Sequence, residues 1–125
     1  MTARSAPLAH LVELVRDDGA SAVATAKVDP ADPVFAGHYP GFPVLPGVYL
    51  IELVSQVVRA SQGDRCELVT LDRCRFLSPV APGDELRIEV SMSTLDGELR
   101  CAATVADAHG RAAELRLRYR LEGAA

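Results

Sequence analysis

Lysine is almost missing from this 125-residue chain. Of its 13 basic residues all but Lys27 are arginine, and 17 acidic residues leave a formal charge of −4. A chain without a basic excess lacks the electrostatic footprint of a non-specific nucleic-acid binder. Cysteine is also scarce. Cys66, Cys74 and Cys101 are odd in number and form no CxxC pair, which argues against a disulfide framework and against a zinc site. They read as small buried apolar side chains. No apolar run approaches the ~20 residues of a membrane span. The run Leu8–Val15 is broken by His10 and Glu13, and no small-residue cleavage site follows. Residues 1–15 therefore make a poor secretory signal, and a cytoplasmic location is expected. No Gly-rich phosphate cradle, metal cluster or nucleotide fingerprint occurs, so neither a cofactor nor a metal is expected.

What is present fits one globular domain over residues 1–125. Hydrophobic residues make up 49% and charged residues 24%, close to the average of folded proteins. A chain of this length buries roughly two-thirds of its unfolded surface. Asp17-Asp18-Gly19 separates two short apolar-rich segments, 11–16 and 21–28, and reads as the turn of a hairpin. Residues 29–47 hold five prolines and three glycines, a density that no helix or central strand survives. That long loop also carries Val34, Phe35, Tyr39, Phe42, Val44 and Leu45, so it is expected to be ordered and functional.

Residues 48–62 contain neither proline nor glycine and read as a helix opened by Pro46-Gly47 and closed by Gly63. Apolar residues nearly encircle it, which places it inside the protein. Four strands follow. Glu67–Phe76 is the first. Leu86, Ile88, Val90 and Met92, then Leu99, Cys101, Ala103 and Val105, then Leu115, Leu117, Tyr119 and Leu121 alternate with polar or small residues. Turns are signalled at Pro82-Gly83-Asp84, Asp96-Gly97 and His109-Gly110. The expectation is an α+β fold: a hairpin, a loop, one buried helix and a four-stranded antiparallel meander. The other face of the sheet is solvated or meets a second subunit.

Two polar residues stand out by position. His38 sits in the stiff loop, in Gly37-His38-Tyr39-Pro40, and Glu52 sits midway along the most apolar helix. A carboxylate there is costly unless solvated or partnered. Periodicity alone favours a solvated stripe, because Glu52, Ser55, Gln56 and Arg59 share one side of the helix. By itself, His38 reads as a loop histidine in a structural hydrogen bond.

Together they are more specific. The segment from Phe35 reads F-A-G-H-Y-P-G-F-P-V-L-P-G-V-Y-L-I-E-L-V-S-Q. It resembles the signature of the hotdog-fold (3R)-hydroxyacyl-[acyl carrier protein] dehydratases, F-x-G-H-F-P-x-x-P-x-x-P-G-V-x-x-x-E-x-x-x-Q. Phe35, Gly37, His38, Pro40, Pro43, Pro46, Gly47, Val48, Glu52 and Gln56 carry the match. A second block, from Leu71 to Phe76 and through Pro79-Val80 to Leu86, looks like the family's next strand and turn.

The resemblance implies a hotdog, one central helix wrapped by a curled antiparallel sheet. It implies dehydration of a 3-hydroxyacyl thioester on acyl carrier protein, with His38 as base and Glu52 as acid. Histidine, with a pKa of ~6.5, is suited to take up protons near neutrality. An acid must hold its proton, and apolar surroundings favour a neutral carboxyl. Gly47, as the family's carbonyl contact, offers an N–H at the positive end of the helix. Gln56 is a candidate to orient Glu52, and Tyr39 and Phe42 to shape the acyl tunnel. The family implies a homodimer with the histidine and glutamate of each site from different subunits, in some members assembled into hexamers.

Carrier protein is acidic, so a basic docking patch is expected, with Arg59, Arg65, Arg73 and Arg75 as candidates. Arg116, Arg118 and Arg120 read as an ordinary solvated sheet face. The sequence departs from the family pattern at Tyr39 for phenylalanine and Leu53 for alanine. The family's H-R-Y-P-F arm is not recognisable, which leaves room for a polyketide or aryl-polyene pathway beside fatty-acid synthesis. A hotdog thioesterase and a non-catalytic acyl-binding hotdog are the competing readings. The histidine of the loop disfavours the first, and retention of both His38 and Glu52 disfavours the second.

Overall fold

In the computed structural model the described residues are 12–29, 47–63 and 65–121. They form six strands and one helix: β1 (Val12–Asp17), β2 (Ser21–Lys27), α1 (Gly47–Gln62), β3 (Cys66–Phe76), β4 (Glu85–Leu95), β5 (Glu98–Asp107) and β6 (Gly110–Leu121). Local chemistry sets the tight turns. At the β1–β2 turn the Asp18 carboxylate accepts the amides of Ala20 at 3.0 Å and Ser21 at 2.7 Å. These bonds hold its carboxyl below the usual range. Asp96 and Gly97 both adopt positive φ, 55° and 78°, as a two-residue turn between β4 and β5 requires. Helix α1 ends where the Gly63 amide donates to the Arg59 carbonyl at 2.8 Å.

All six strands join one antiparallel sheet in the order β1-β2-β4-β5-β6-β3. The expected α+β architecture and the β1–β2 hairpin are present. The four-stranded meander is not: only β4, β5 and β6 follow one another. Strand β3 crosses to the far edge, beside β6. Alternation reports which face a side chain occupies and says nothing about which strand is the neighbour. The connection after β3 returns beneath β2, where Val28 donates to the Asp84 carbonyl at 2.8 Å and accepts from Gly83 at 2.7 Å. That places β4 against β2.

The inner face of the sheet supplies the core. Leu86, Ile88 and Val90 of β4, Leu99 and Val105 of β5, and Leu115, Leu117 and Tyr119 of β6 are buried. Against them α1 lays Leu50, Leu53, Val54, Val57 and Val58, all buried. A fully buried side chain of this size contributes about 1.5–3 kcal/mol. The helix is not enclosed all round: Val48 is 65% exposed. Ser55 is the exception on the buried side. Its hydroxyl and that of Tyr119 share a hydrogen bond of 2.8 Å, so neither polar group is orphaned. The three cysteines are free, Cys66 and Cys101 buried and Cys74 half-buried. Among the described residues no helix is long and apolar enough to cross a membrane.

Candidate active site

Helix α1 begins at Gly47, with no acidic residue in its first turn. The first amides of a helix have no partner within it, and the dipole adds positive potential there. The Phe76 ring, at the end of β3, lies directly over this start. A Cβ on Gly47 would come within 2.5 to 2.9 Å of three ring atoms. Only glycine lets the ring approach so closely. Phe76 itself stays 53% exposed. The result is an aromatic wall against the start of the helix.

Five residues further along, Glu52 projects from the flank of α1. Its Oε2 accepts a hydrogen bond from Arg59 Nη2 at 3.0 Å and from Gln56 Nε2 at 3.3 Å. The spacings of four and seven residues put all three on one side of the helix. The Glu52 side chain is 42% exposed and that of Arg59 32%, so the pair sits at the surface of the protomer rather than in its core. Ser55 leaves the stripe expected from periodicity: it turns inward to Tyr119. Burial, against that hydrogen bond, pushes the Tyr119 hydroxyl up to about 12. Leu53, the departure that could narrow a tunnel, is fully buried in the core.

His38, Tyr39 and Phe42 lie outside the described residues. The structure brings Gly47, Glu52 and Gln56 onto one helix. It does not gather the four candidate docking arginines. Arg59 is engaged with Glu52. Arg73 and Arg75 point to the outer face of the sheet, opposite Arg116 and Glu114 of β6. Arg65 is exposed just before β3; with eight residues separating it from Arg73, they are roughly 25 Å apart along the strand. Two contacts of the site were not named from the sequence. The Arg59–Glu52 contact was legible in their spacing of two helical turns. The Phe76–Gly47 contact had no local signal, because it joins the helix to a strand.

A profile of the ApeI-like family, described as ApeI dehydratase, matches residues 14–114. The 3-hydroxyacyl-[acyl-carrier-protein] dehydratase FabZ of Pelotomaculum thermopropionicum is 40% identical over 103 residues, 77% of this chain and 69% of that enzyme. FabZ of Halalkalibacterium halodurans is 34% identical over 102 residues, 76% of this chain and 73% of that enzyme. Among solved structures, the dehydratase heterocomplex ApeI:P from Xenorhabdus doucetiae superposes with a TM-score of 0.71 at 19% identity, covering 87% of this chain and 97% of that one. The unliganded R-hydratase PhaJ1 of Pseudomonas aeruginosa gives 0.65 at 18% identity, covering 85% and 82%. These structures establish the hotdog fold. The chain belongs to the hotdog-fold (3R)-hydroxyacyl-[acyl carrier protein] dehydratase family, within its ApeI-like branch. It is a dehydratase.

Proposed function

We propose that the chain removes water from a (3R)-hydroxyacyl thioester carried on acyl carrier protein, giving the 2-enoyl thioester. One observation carries the reading: a partnered carboxyl, Glu52, stands on the same helix whose N-terminus is Gly47, in a chain 40% identical to a FabZ enzyme. His38 takes the C2 proton, and the electron pair moves toward the thioester carbonyl. The Gly47 N–H and the helix dipole stabilise the negative charge that develops on that oxygen. The C3–O bond then breaks as Glu52 gives its proton to the departing hydroxyl, which leaves as water, and the C2–C3 double bond forms. Arg59 and Gln56 both hold Oε2 of Glu52, so the proton that Glu52 gives is carried on Oε1. Gln56 is thus the orienting residue, and Tyr39 and Phe42 line the acyl tunnel.

The same reading makes the active unit a homodimer with shared sites. Strand β3 is a sheet edge of eleven residues that shows Leu68, Val69, Leu71 and Phe76 between 39% and 53% exposed. A long apolar edge is a liability unless it is covered. A second copy paired there would bring its own residues beside Phe76 and Gly47. Whether such dimers gather further into hexamers is read by solution mass. The reaction belongs in the cytoplasm, in fatty-acid or in polyketide or aryl-polyene biosynthesis.

Intact-mass spectrometry of a short 3-hydroxyacyl carrier protein tests the proposal. The expected result is loss of one water, absent with His38→Ala and with Glu52→Gln. Loss of the whole acyl group would instead identify a thioesterase, and a retained, unchanged acyl group a binding module. Mixing the two inactive variants adds a second test. Subunit exchange should restore one working site per mixed dimer, and no recovery despite exchange would remove the shared site.

A further inference from the structure

Phe76 meets the start of α1 with one end of its ring. The atoms nearest the site of a Gly47 Cβ are Cζ at 2.5 Å, Cε2 at 2.8 Å and Cε1 at 2.9 Å, the outer tip of the ring. The base of the side chain is fixed. Phe76 pairs with Ala113 of β6, and the next two amides, Leu77 and Ser78, both donate to the Ala112 carbonyl, at 2.8 and 3.3 Å. Ala112 and Ala113 are fully buried. The ring therefore cannot slide along the helix; it can only turn about its own side-chain bonds. Burial alone does not account for its place, since half of it stays in solvent on the protomer. Val48 and Leu77, next in sequence to the two contacting residues, are exposed as well, so the border of this contact is apolar.

This geometry puts the ring beside any group bound at that amide. In a helix the Cα–Cβ bond tilts toward the N-terminus, and the unpartnered first N–H groups point the same way. With ordinary bond lengths and a hydrogen bond of ~2.9 Å, an oxygen on the Gly47 N–H lies about 3.5 Å from the site of a Cβ. The ring tip crowds that same site, so the oxygen and the ring are neighbours. A carbonyl carbon is one bond from its oxygen and carries two further groups. In a carrier-bound thioester one of them is sulfur, the same in every substrate. The other is C2, which differs between substrates. It bears two hydrogens or, in a branched acyl group, one hydrogen and a methyl.

We propose that Phe76 is a specificity-determining residue, whose ring tip disfavours a methyl branch at C2 of the 3-hydroxyacyl group. That role rests on the reading that the Gly47 N–H receives the thioester carbonyl. The reaction makes the demand sharper. As the C2 proton leaves, C1, C2 and their substituents become coplanar. A methyl on C2 is then held in the plane of the carbonyl and cannot rotate away from the ring. An extra methyl in a fitted apolar pocket changes the rate by about 10–200-fold. Here the ring can also yield by turning off the helix. That turn forfeits the half of its surface that is buried, worth roughly fivefold in rate. The lesser cost prevails, so Phe76 discriminates about fivefold.

Phe76→Leu tests it. Leucine keeps Cβ, Cγ and both Cδ atoms, so the strand end stays packed. It lacks Cζ, Cε1 and Cε2, the three atoms that crowd the helix start. The substrates are 3-hydroxybutyryl and 2-methyl-3-hydroxybutyryl carrier protein, with each C2 epimer supplied separately. The ratio of kcat/KM, unbranched over the better methyl epimer, should fall about fivefold from wild type to variant. A ratio that moves by less than about twofold would overturn the role of the ring and leave the dehydratase reading intact. A wild-type chain that dehydrates neither substrate would end that reading instead. Where either protein turns over neither substrate, calorimetry decides the ring by itself, with the pantetheine amides of the same two acids as stable probes. A preference for the unbranched amide that falls about fivefold in Phe76→Leu supports the proposal. An unchanged preference, or no binding of either amide to the wild-type chain, overturns it.

Discussion

Replacing Gly47 with alanine measures how closely Phe76 covers the start of α1. In a compatible setting, alanine for glycine stabilises a helix by about 0.5–1 kcal/mol. Here the new Cβ would meet three ring atoms at 2.5, 2.8 and 2.9 Å, so the ring must swing away. Phe76 is 53% exposed, which puts about half of its burial at stake. With ~2–3 kcal/mol for a fully buried phenylalanine, the departure costs roughly 1 kcal/mol. Gain and cost nearly cancel in the wild-type background. In a Phe76→Ala background only the gain remains. The double-mutant cycle should therefore show a coupling of about 1 kcal/mol. Urea denaturation of the four proteins reads it directly, and in melting temperature it amounts to about 3–5 °C. If Gly47→Ala gives the same change in both backgrounds to within ~0.3 kcal/mol, the ring does not cover the helix end and the reasoning is refuted.

Three further outcomes follow from named contacts. Ser55→Ala strands the buried Tyr119 hydroxyl and should cost about 1–3 kcal/mol, while Ser55→Ala with Tyr119→Phe should cost clearly less than the two single changes added; additive costs would deny the bond. The Arg118 guanidinium holds the Asp72 carboxyl below its ordinary 3.8. Its contribution is complete above that value and is lost as pH falls through the lowered one, so Asp72→Asn should flatten the fall of melting temperature between about pH 4 and pH 2. An unchanged slope would count against the pair. Burial pushes the Cys101 thiol up to about 12. A thiol reagent at pH 8 should leave Cys101 unlabelled until the chain unfolds, with the half-buried Cys74 reacting first; labelling of native Cys101 at the rate of a free cysteine would contradict its burial.

The elements that were legible in the sequence are those whose cause is local. The Asp18 and Asp96-Gly97 turns, the helix closed at Gly63 and the alternation in β4, β5 and β6 need only neighbouring residues, and each is present. Strand β3 was harder. Its pairing slips twice, between Leu68 and Thr70 and between Leu71 and Arg73. Each slip breaks the alternation that a strand is recognised by. Asp72, in the second slip, reaches the outer face and meets Arg118. The helix stripe was half legible. Spacing placed Glu52, Gln56 and Arg59 together, whereas the inward turn of Ser55 depends on Tyr119, 64 residues away. The facing of Arg73 and Arg116 could not be read in advance. Arg73 and Arg116 become neighbours only once β3 takes the far edge of the sheet.

That edge position also sets an order of events during synthesis. Among the described residues strand β3 hydrogen-bonds to β6 alone, with Cys66 opposite Leu121. A ribosome releases β3 long before its partner exists. Hairpin β1–β2 can close early, and β4 can join it, but Leu68, Leu71 and Phe76 must wait in water until residue 121 has emerged. Pairings this distant in sequence are slow to form, and a waiting apolar strand is open to wrong partners. The last made of these six strands is thus the one that completes their sheet. A chain stopped at the β5–β6 turn would lose β6 and, with it, the place where β3 docks.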